Sequence, residues 1–552
     1  MAGKSAFKEL GLKKTVDLIH EEIQALYAMD DVPWIIGYSG GKDSTACVQL
    51  VWNALTGLPK KQRHKVVHVI STDTMVENPV VSSWVERSLK TMGAAAERHS
   101  IPVEPHHLRP EVADTFWVNL LGKGYPSPRH MFRWCTERLK IRPSNAFITK
   151  IVREQGEAIL VLGTRKQESI NRARTMARHA ANQVRDRLTP NASLLGSLIY
   201  TPIEDWSNDD VWAYLTSIAN PWDYPNEHLL GMYAGATEGG ECPLVVDSST
   251  PSCGDSRFGC WVCTLVDKDK SMSAMIQNDQ EKEWMLPLLD LRNELDMRDR
   301  PEEEQGTGLK RDRERRDFRR IDGRLHLYAQ DEKVKEDPKR SKKKLRGNEL
   351  DRALVHGPYL QAWREGFLRK LLAAQMEIRR QGLDMSTFEV ISLPELEQIR
   401  RIWVIEKHEI EDSLPRIYKG VTGDQYPGVP LDDQCPLDPG ALDLLQEVCQ
   451  RLEGPEEDWR MRYGMVREML SQESRFRTQR RRAGLFEALE EGLQRHHYWN
   501  ERDAASWAKD RLRSQRAPGE DLQAIQDLSS VLVVSPGGDD DSLEPGLPGV
   551  FK

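Results

Sequence analysis

Six residues, Ser39-Gly40-Gly41-Lys42-Asp43-Ser44, decide which class of fold is open to this chain of 552 residues. They lie between a short apolar run, residues 32–38 (VPWIIGY), and a stretch with helical spacing, residues 44–55. An apolar strand that turns through two glycines into a helix opens an α/β unit rather than a bundle or a sandwich. The same geometry suits a phosphate. Glycines let the backbone approach closely, and the free N–H groups of a helix N-terminus face the anion. Lys42 supplies a compensating charge, and the Ser39 and Ser44 hydroxyls can donate to phosphate oxygens. The pattern differs from GxxxxGK[ST], so this is not a Walker A loop. A turn that merely closes a strand–helix junction is the competing reading.

Further apolar runs at 65–72, 102–108 and 158–164 alternate with helical segments such as 79–99. That order predicts an α/β domain with a parallel sheet and helices on both faces over residues 1–285. A charged insert, residues 286–350, and a mainly α-helical C-terminal region, residues 351–530, follow it. In the latter, residues 359–380, 393–413, 442–452 and 456–472 carry helical patterns. Residues 531–552, rich in Pro, Gly and Asp, read as a disordered tail. Residues 310–346 hold 16 Lys+Arg and 8 Asp+Glu, a local charge of +8 within a chain at −8 overall. The stretch reads as exposed or partly disordered, and as a DNA-backbone or partner contact if it is more than a solvated linker. With 30% charged residues, no apolar run of about 18 residues and no signal-peptide core, a cytoplasmic protein with no membrane span is expected.

Cys242, Cys253, Cys260 and Cys263 fall within 22 residues, with Cys135 upstream. A CxxC turn presents both sulfurs to one side, so a zinc knuckle, a redox pair or an iron–sulfur cluster are all open. Arg165 and Arg172 follow the run ending at Gly163, at the carboxyl edge where ligands sit in open α/β sheets. Two guanidiniums there suit phosphate binding. Asp205 reads as the cap of a following helix, with Trp206 and Trp212 in the core.

The SGGKDS loop resembles the PP-loop of the adenine nucleotide α-hydrolase (HUP-like) superfamily, whose members cleave ATP between the α and β phosphates. Residues 71–74 (STDT), 163–169 (GTRKQES) with Arg172, and 202–212 (PIEDW…DVW) are similar to segments of phosphoadenylylsulfate (PAPS) reductases. The likeness covers about residues 30–265. It implies ATP held by Ser39, Gly40, Gly41, Lys42, Asp43, Ser44, Asp73, Gly163, Arg165 and Arg172, with Mg²⁺, and catalytic roles for Lys42, Asp43, Cys135 and Arg165. The segment RWCTERLK resembles one that carries two adjacent cysteines in cluster-bearing members. Here Trp134 replaces the first, which leaves Cys135, Cys253, Cys260 and Cys263 as the implied [4Fe–4S] ligands and Cys242 as the substitute. Cys135 as a persulfide-carrying nucleophile remains the other option.

The long extension after the CxxC is similar to that of the DndC family of DNA phosphorothioation. That resemblance implies an ATP pyrophosphatase and sulfurtransferase acting on DNA. A cysteine desulfurase would be its sulfur donor, and a DndD-like ATPase and DndE its partners. The alternatives are a tRNA-thiolating PP-loop enzyme, a PAPS reductase-like oxidoreductase, and a non-catalytic nucleotide-sensing subunit.

Overall fold

The computed structural model describes residues 5–514, apart from 131, 169–172, 175, 178–186, 237–257, 298–311, 322, 327–353, 382–384, 430, 432–436, 438, 453, 455–457 and 478. Two compact units divide them. The first comprises residues 5–116 and 128–295, and the second 117–127 and 296–514.

In the first unit, β1 (Trp34–Gly37), β2 (Val67–Thr72), β3 (Val103–Leu108), β4 (Ala158–Val161), β5 (Thr189–Pro190) and β6 (Ser197–Tyr200) form one sheet of order β3-β2-β1-β4-β6-β5. Every pairing is parallel except β5 with β6. The expected parallel α/β domain is therefore present. The inner strands read as unbroken apolar runs because both faces are covered, as parallel sheets require. One face packs Trp34, Val67, Val69 and Val161 against helices α1 (Gly11–Ala28), α2 (Lys42–Thr56) and α3 (Pro79–His99). On the other face Ile35, Ile70, Leu160 and Ile199 meet Ile148 and Ile151 of the helix Arg142–Gln155. The chain leaves β1 toward β2 on one side and returns as β4 on the other. The order thus reverses at β1, and a crevice opens at the strands' carboxyl ends.

α1 was not assigned from sequence, since its apolar positions are diluted by Lys, Asp and Glu. The helix Asn208–Ser217 is capped by Ser207 in a capping box with Asp210, not by Asp205, whose carboxylate pairs with Lys166 at 2.8 Å. Trp206 and Trp212 are buried as expected.

The second unit is helical, built from Gln361–Arg380, Leu393–Arg401, Ser413–Thr422, Pro439–Leu452, Trp459–Arg477, Leu485–His496 and Glu501–Ser514. Residues 117–127 belong to it. The Trp117 indole donates to Val390 O at 2.8 Å and the Trp403 indole to Leu121 O at 2.7 Å. The pattern over 393–413 is not one helix. After a wide turn, Ile402–Glu406, the backbone takes positive φ at His408 and Asp412, held by the Arg364–Glu409 and Arg400–Asp412 ion pairs. The described part of the basic stretch is folded rather than free: Phe318 is buried, and the Arg319 guanidinium donates to Asp317 at 2.7 Å and to Arg495 O at 2.9 Å. Residues 327–346 of that stretch, and the proposed tail, lie outside the described residues. Among the described residues no helix is long and apolar enough to cross a membrane.

A buried carboxylate makes this unit acid-sensitive. Burial works against the ionised form of Glu468, but donors from His496 and Arg495 outweigh it and hold its carboxyl at about 2, below the ordinary 4.5. A depressed carboxyl stabilises the fold above its unfolded value and loses that contribution as pH falls toward the folded one. Burial also lowers His496 and His408, which adds a loss below about 6.5. Urea midpoints should fall progressively between pH 6.5 and 3, and Glu468→Gln should flatten the part of that slope below pH 4.5.

Candidate nucleotide and thiol site

At the end of β1 the chain passes through Gly40, with φ of +73°. There a Cβ would lie 2.4 Å from Val85 Cγ2, so only glycine fits. Gly41 then caps α2, and the Tyr233 hydroxyl takes a hydrogen bond from the backbone N–H of Lys42 in the first turn. The Ser44 hydroxyl donates to Gly41 O at 3.0 Å and accepts from Ser39 N at 3.2 Å. Its proton shapes the loop.

Asp43 sits between two cations. Arg165, 5% exposed, donates through Nε to Asp43 Oδ1 at 2.7 Å and through Nη1 to Trp206 O at 3.3 Å. Lys42 Nζ lies 3.4 Å from Asp43 Oδ2 and 5.6 Å from the centre of the Tyr233 ring. Arg165 is buried and paired rather than exposed. It ties the end of β4 to the loop. Gly163 permits the approach, since a Cβ there would come within 2.9 Å of the Asp43 carbonyl. Asp73 shapes the turn after β2, accepting from Met75 N at 2.8 Å and from Arg109 at 3.2 Å. Arg172 lies outside the described residues. Beyond β4 and β6 a cavity of about 600 Å³ is lined by Thr164, Tyr200, Glu204 and Trp206 among others.

The CxxC loop is laid against the segment following β2. Glu77 and Cys260 form an antiparallel bridge, Trp261 N donates to Val76 O at 3.0 Å, and Cys263 N closes a turn on Cys260 O at 3.0 Å. Arg292, 1% exposed, gathers the carbonyls of Cys263 (3.1 Å), Asp267 (3.0 Å) and Val266. Around the sulfurs, Thr74 Oγ1 is 3.3 Å from Cys260 Sγ, and Lys140 pairs with Glu77 at 3.1 Å.

Cys135 belongs to the short helical turn Trp134–Thr136 and joins this group. Burial raises its thiol pKa, and the charge of Cys263 raises it further. Burial likewise raises Cys260, followed by the charges of Glu77 and Cys135. The three thiols therefore feel one another. Glu77, and after it the cysteines, hold Lys140 firmly protonated beside them. Cys253 and Cys242 lie outside the described residues.

Lys140, Glu77, Thr74, Tyr233 and Arg292 were not singled out from sequence. Lys140 and Thr74 stand inside motifs already noted, RWCTERLK and STDT, and Glu77 lies three residues beyond the second. Nothing local marks Tyr233 or Arg292.

Residues 33–224 match the family described as the phosphoadenosine phosphosulfate reductase domain, so the chain carries a PAPS reductase-like domain of PP-loop type there. An uncharacterised protein of Methanocaldococcus jannaschii is 28% identical over 201 residues, which are 36% of this chain and 35% of that protein. The match thus spans about a third of that relative. Among solved structures, the U34-tRNA thiolase NcsA from Methanococcus maripaludis with its [4Fe–4S] cluster aligns with 55% of this chain and 86% of its own, at 13% identity and a TM-score of 0.24. Candida glabrata FMN adenylyltransferase, in complex with FAD and inorganic pyrophosphate, aligns with 38% of this chain and 60% of its own, at 11% identity and a TM-score of 0.22. Likenesses this distant do not bear on the chemistry.

Proposed function

We propose that this protein cleaves ATP between the α and β phosphates and uses the adenylate to replace a non-bridging oxygen of a DNA phosphodiester with sulfur. The observation that carries the reading is the placement of a glycine-built helix N-terminus and three interacting thiols along the carboxyl edge of one sheet.

A phosphodiester oxygen leaves poorly as oxide. In this reading it attacks the α-phosphorus of ATP, which enters with Mg²⁺, and pyrophosphate departs from the first N–H groups of α2 and Lys42. Lys42 offsets the charge gathering on the leaving group. Arg165 holds Asp43, and with it the loop, in register while this happens. Hydrosulfide, released from the donor's persulfide by a thiol that is oxidised to a disulfide, then bonds through sulfur to the DNA phosphorus and gives up its proton, and AMP leaves with the displaced oxygen. Cys135, Cys260 and Cys263, with Cys253 or Cys242, would hold a [4Fe–4S] cluster, which supplies electron transfer beside the adenylated phosphate when bound. Lys140, held protonated by Glu77, offers the incoming anion a positive partner. The sulfur donor in this reading is a cysteine desulfurase, a DndD-like ATPase and DndE complete the complex, and residues 310–346 contact the DNA backbone.

Anaerobically purified protein supplied with ATP, duplex DNA, cysteine and a desulfurase should form AMP and pyrophosphate in equal amounts and place radiolabelled sulfur in the DNA. Label in tRNA instead would favour the tRNA-thiolating alternative, and sulfite released from a nucleotide sulfate would favour a reductase. ADP and phosphate as products would overturn the PP-loop chemistry itself.

A further inference from the structure

On the face of the sheet covered by the helix Arg142–Gln155, β2 and β3 bring His68, Glu104 and His106 together. Their parallel register sets His68 opposite Glu104 and Ile70 opposite His106. His68 Nδ1 and His106 Nε2 are 3.0 Å apart, and Glu104 Oε2 lies 3.6 Å from the first and 3.9 Å from the second. Two metal–nitrogen bonds of about 2.05 Å at a tetrahedral angle place their nitrogens about 3.3 Å apart, so the three atoms already stand at the spacing of one small ion's ligands. The Phe147 ring packs against both imidazoles, at 4.7 Å from His106 and 5.6 Å from His68.

We propose that His68, His106 and Glu104 form a second metal site, separate from the thiols, that takes one divalent transition ion of the zinc class. Two imidazoles and one carboxylate are the donor set of such ions rather than of Mg²⁺ or Ca²⁺, and three protein ligands leave a position for water. Burial lowers the basicity of both imidazoles, which agrees with their serving as neutral ligands. The side chains of His68 and His106 are 12% and 29% exposed and that of Glu104 is 57%, so an ion can enter from the Glu104 side. His68 and Glu104 are each the second residue of their strand, whereas the nucleotide loop and the thiols lie at the carboxyl ends. The ion would clamp edge strand β3 to β2 and take no part in ATP cleavage.

Full-length, untagged protein should be titrated with Zn²⁺ in equilibrium dialysis and with Co²⁺ as an optical reporter, since thiolate ligation gives cobalt an intense near-ultraviolet band that nitrogen and oxygen ligands do not. The expected result is one equivalent of cobalt lacking the thiolate band, present in wild type and in Cys260→Ser alike. Outer-sphere partners alone are worth about 10–100-fold in metal affinity, so loss of a ligand in His106→Ala should exceed that. Glu104→Gln removes a half-exposed carboxylate with little risk to folding and should weaken binding by at least about tenfold. Cobalt bound only with the thiolate band, or wild-type affinity in Glu104→Gln, would overturn the site.

Discussion

In Lys42→Ala, pyrophosphate release from ATP falls by at least about 10²–10³-fold, the worth of one pre-organised donor to a developing anion, while the urea midpoint stays close to wild type. The two halves of this result have separate physical grounds. Lys42 is the first residue of α2, and among the described residues its Nζ meets the Asp43 carboxylate and the face of Tyr233. Without it Asp43 still has Arg165 at 2.7 Å, and the core residues of α2 from Thr45 to Leu55 are untouched. The loop keeps its shape because Gly40, Gly41 and the Ser44–Gly41 hydrogen bond make it, not the lysine. Its loss is therefore electrostatic and falls on the departing pyrophosphate. Discontinuous assay of pyrophosphate, with circular dichroism of the same preparation, checks both halves. Wild-type release by the folded variant would remove the basis for reading this loop as an ATP site.

What could be seen in the sequence follows from what is local. Strands over 32–38, 65–72, 102–108 and 158–164 were legible because buried parallel strands are continuous apolar runs, and they appear as β1, β2, β3 and β4. The glycine loop was legible for the same reason: its geometry is made by neighbours in the chain. β6, four residues long, hides in the run NASLLGSLIY, and the break at 407–412 hides because Arg364 and Arg400, which hold it, are contributed by other turns of helix. Arg165 was found, but its partner was not. The residue that engages it, Asp43, is 122 positions away, so the ion pair that ties the two segments together could be read from neither alone. Lys140 and Glu77, 63 positions apart, illustrate the same limit. So does the pairing of His68 with His106: a strand residue's type can be read from sequence, but its neighbour across the sheet depends on register.

The thiols give the second large effect. Protein purified without oxygen should be brown from thiolate-to-iron charge transfer, and Cys260→Ser or Cys263→Ser should lose both the colour and the iron. Serine is close in size, so a loss of iron from folded protein reports ligation. The loop itself should persist, because Arg292 and the bridge to Glu77 hold it through backbone groups. Cys47→Ser and Cys449→Ser are the controls: both thiols are buried in the apolar cores of their units, and these variants should lose stability while keeping iron. Cys135→Ser separates two roles. Burial, with the charge of Cys263, keeps this thiol protonated unless a metal takes the proton's place, so the geometry favours a ligand and predicts that its iron is lost. Retained iron, with ATP cleavage intact and no sulfur reaching DNA, would instead make Cys135 the sulfur carrier. Cys253→Ser and Cys242→Ser, run beside it, identify the fourth ligand by the same iron assay. A colourless wild-type protein with stoichiometric zinc on these cysteines would exclude the cluster and leave a zinc knuckle in its place.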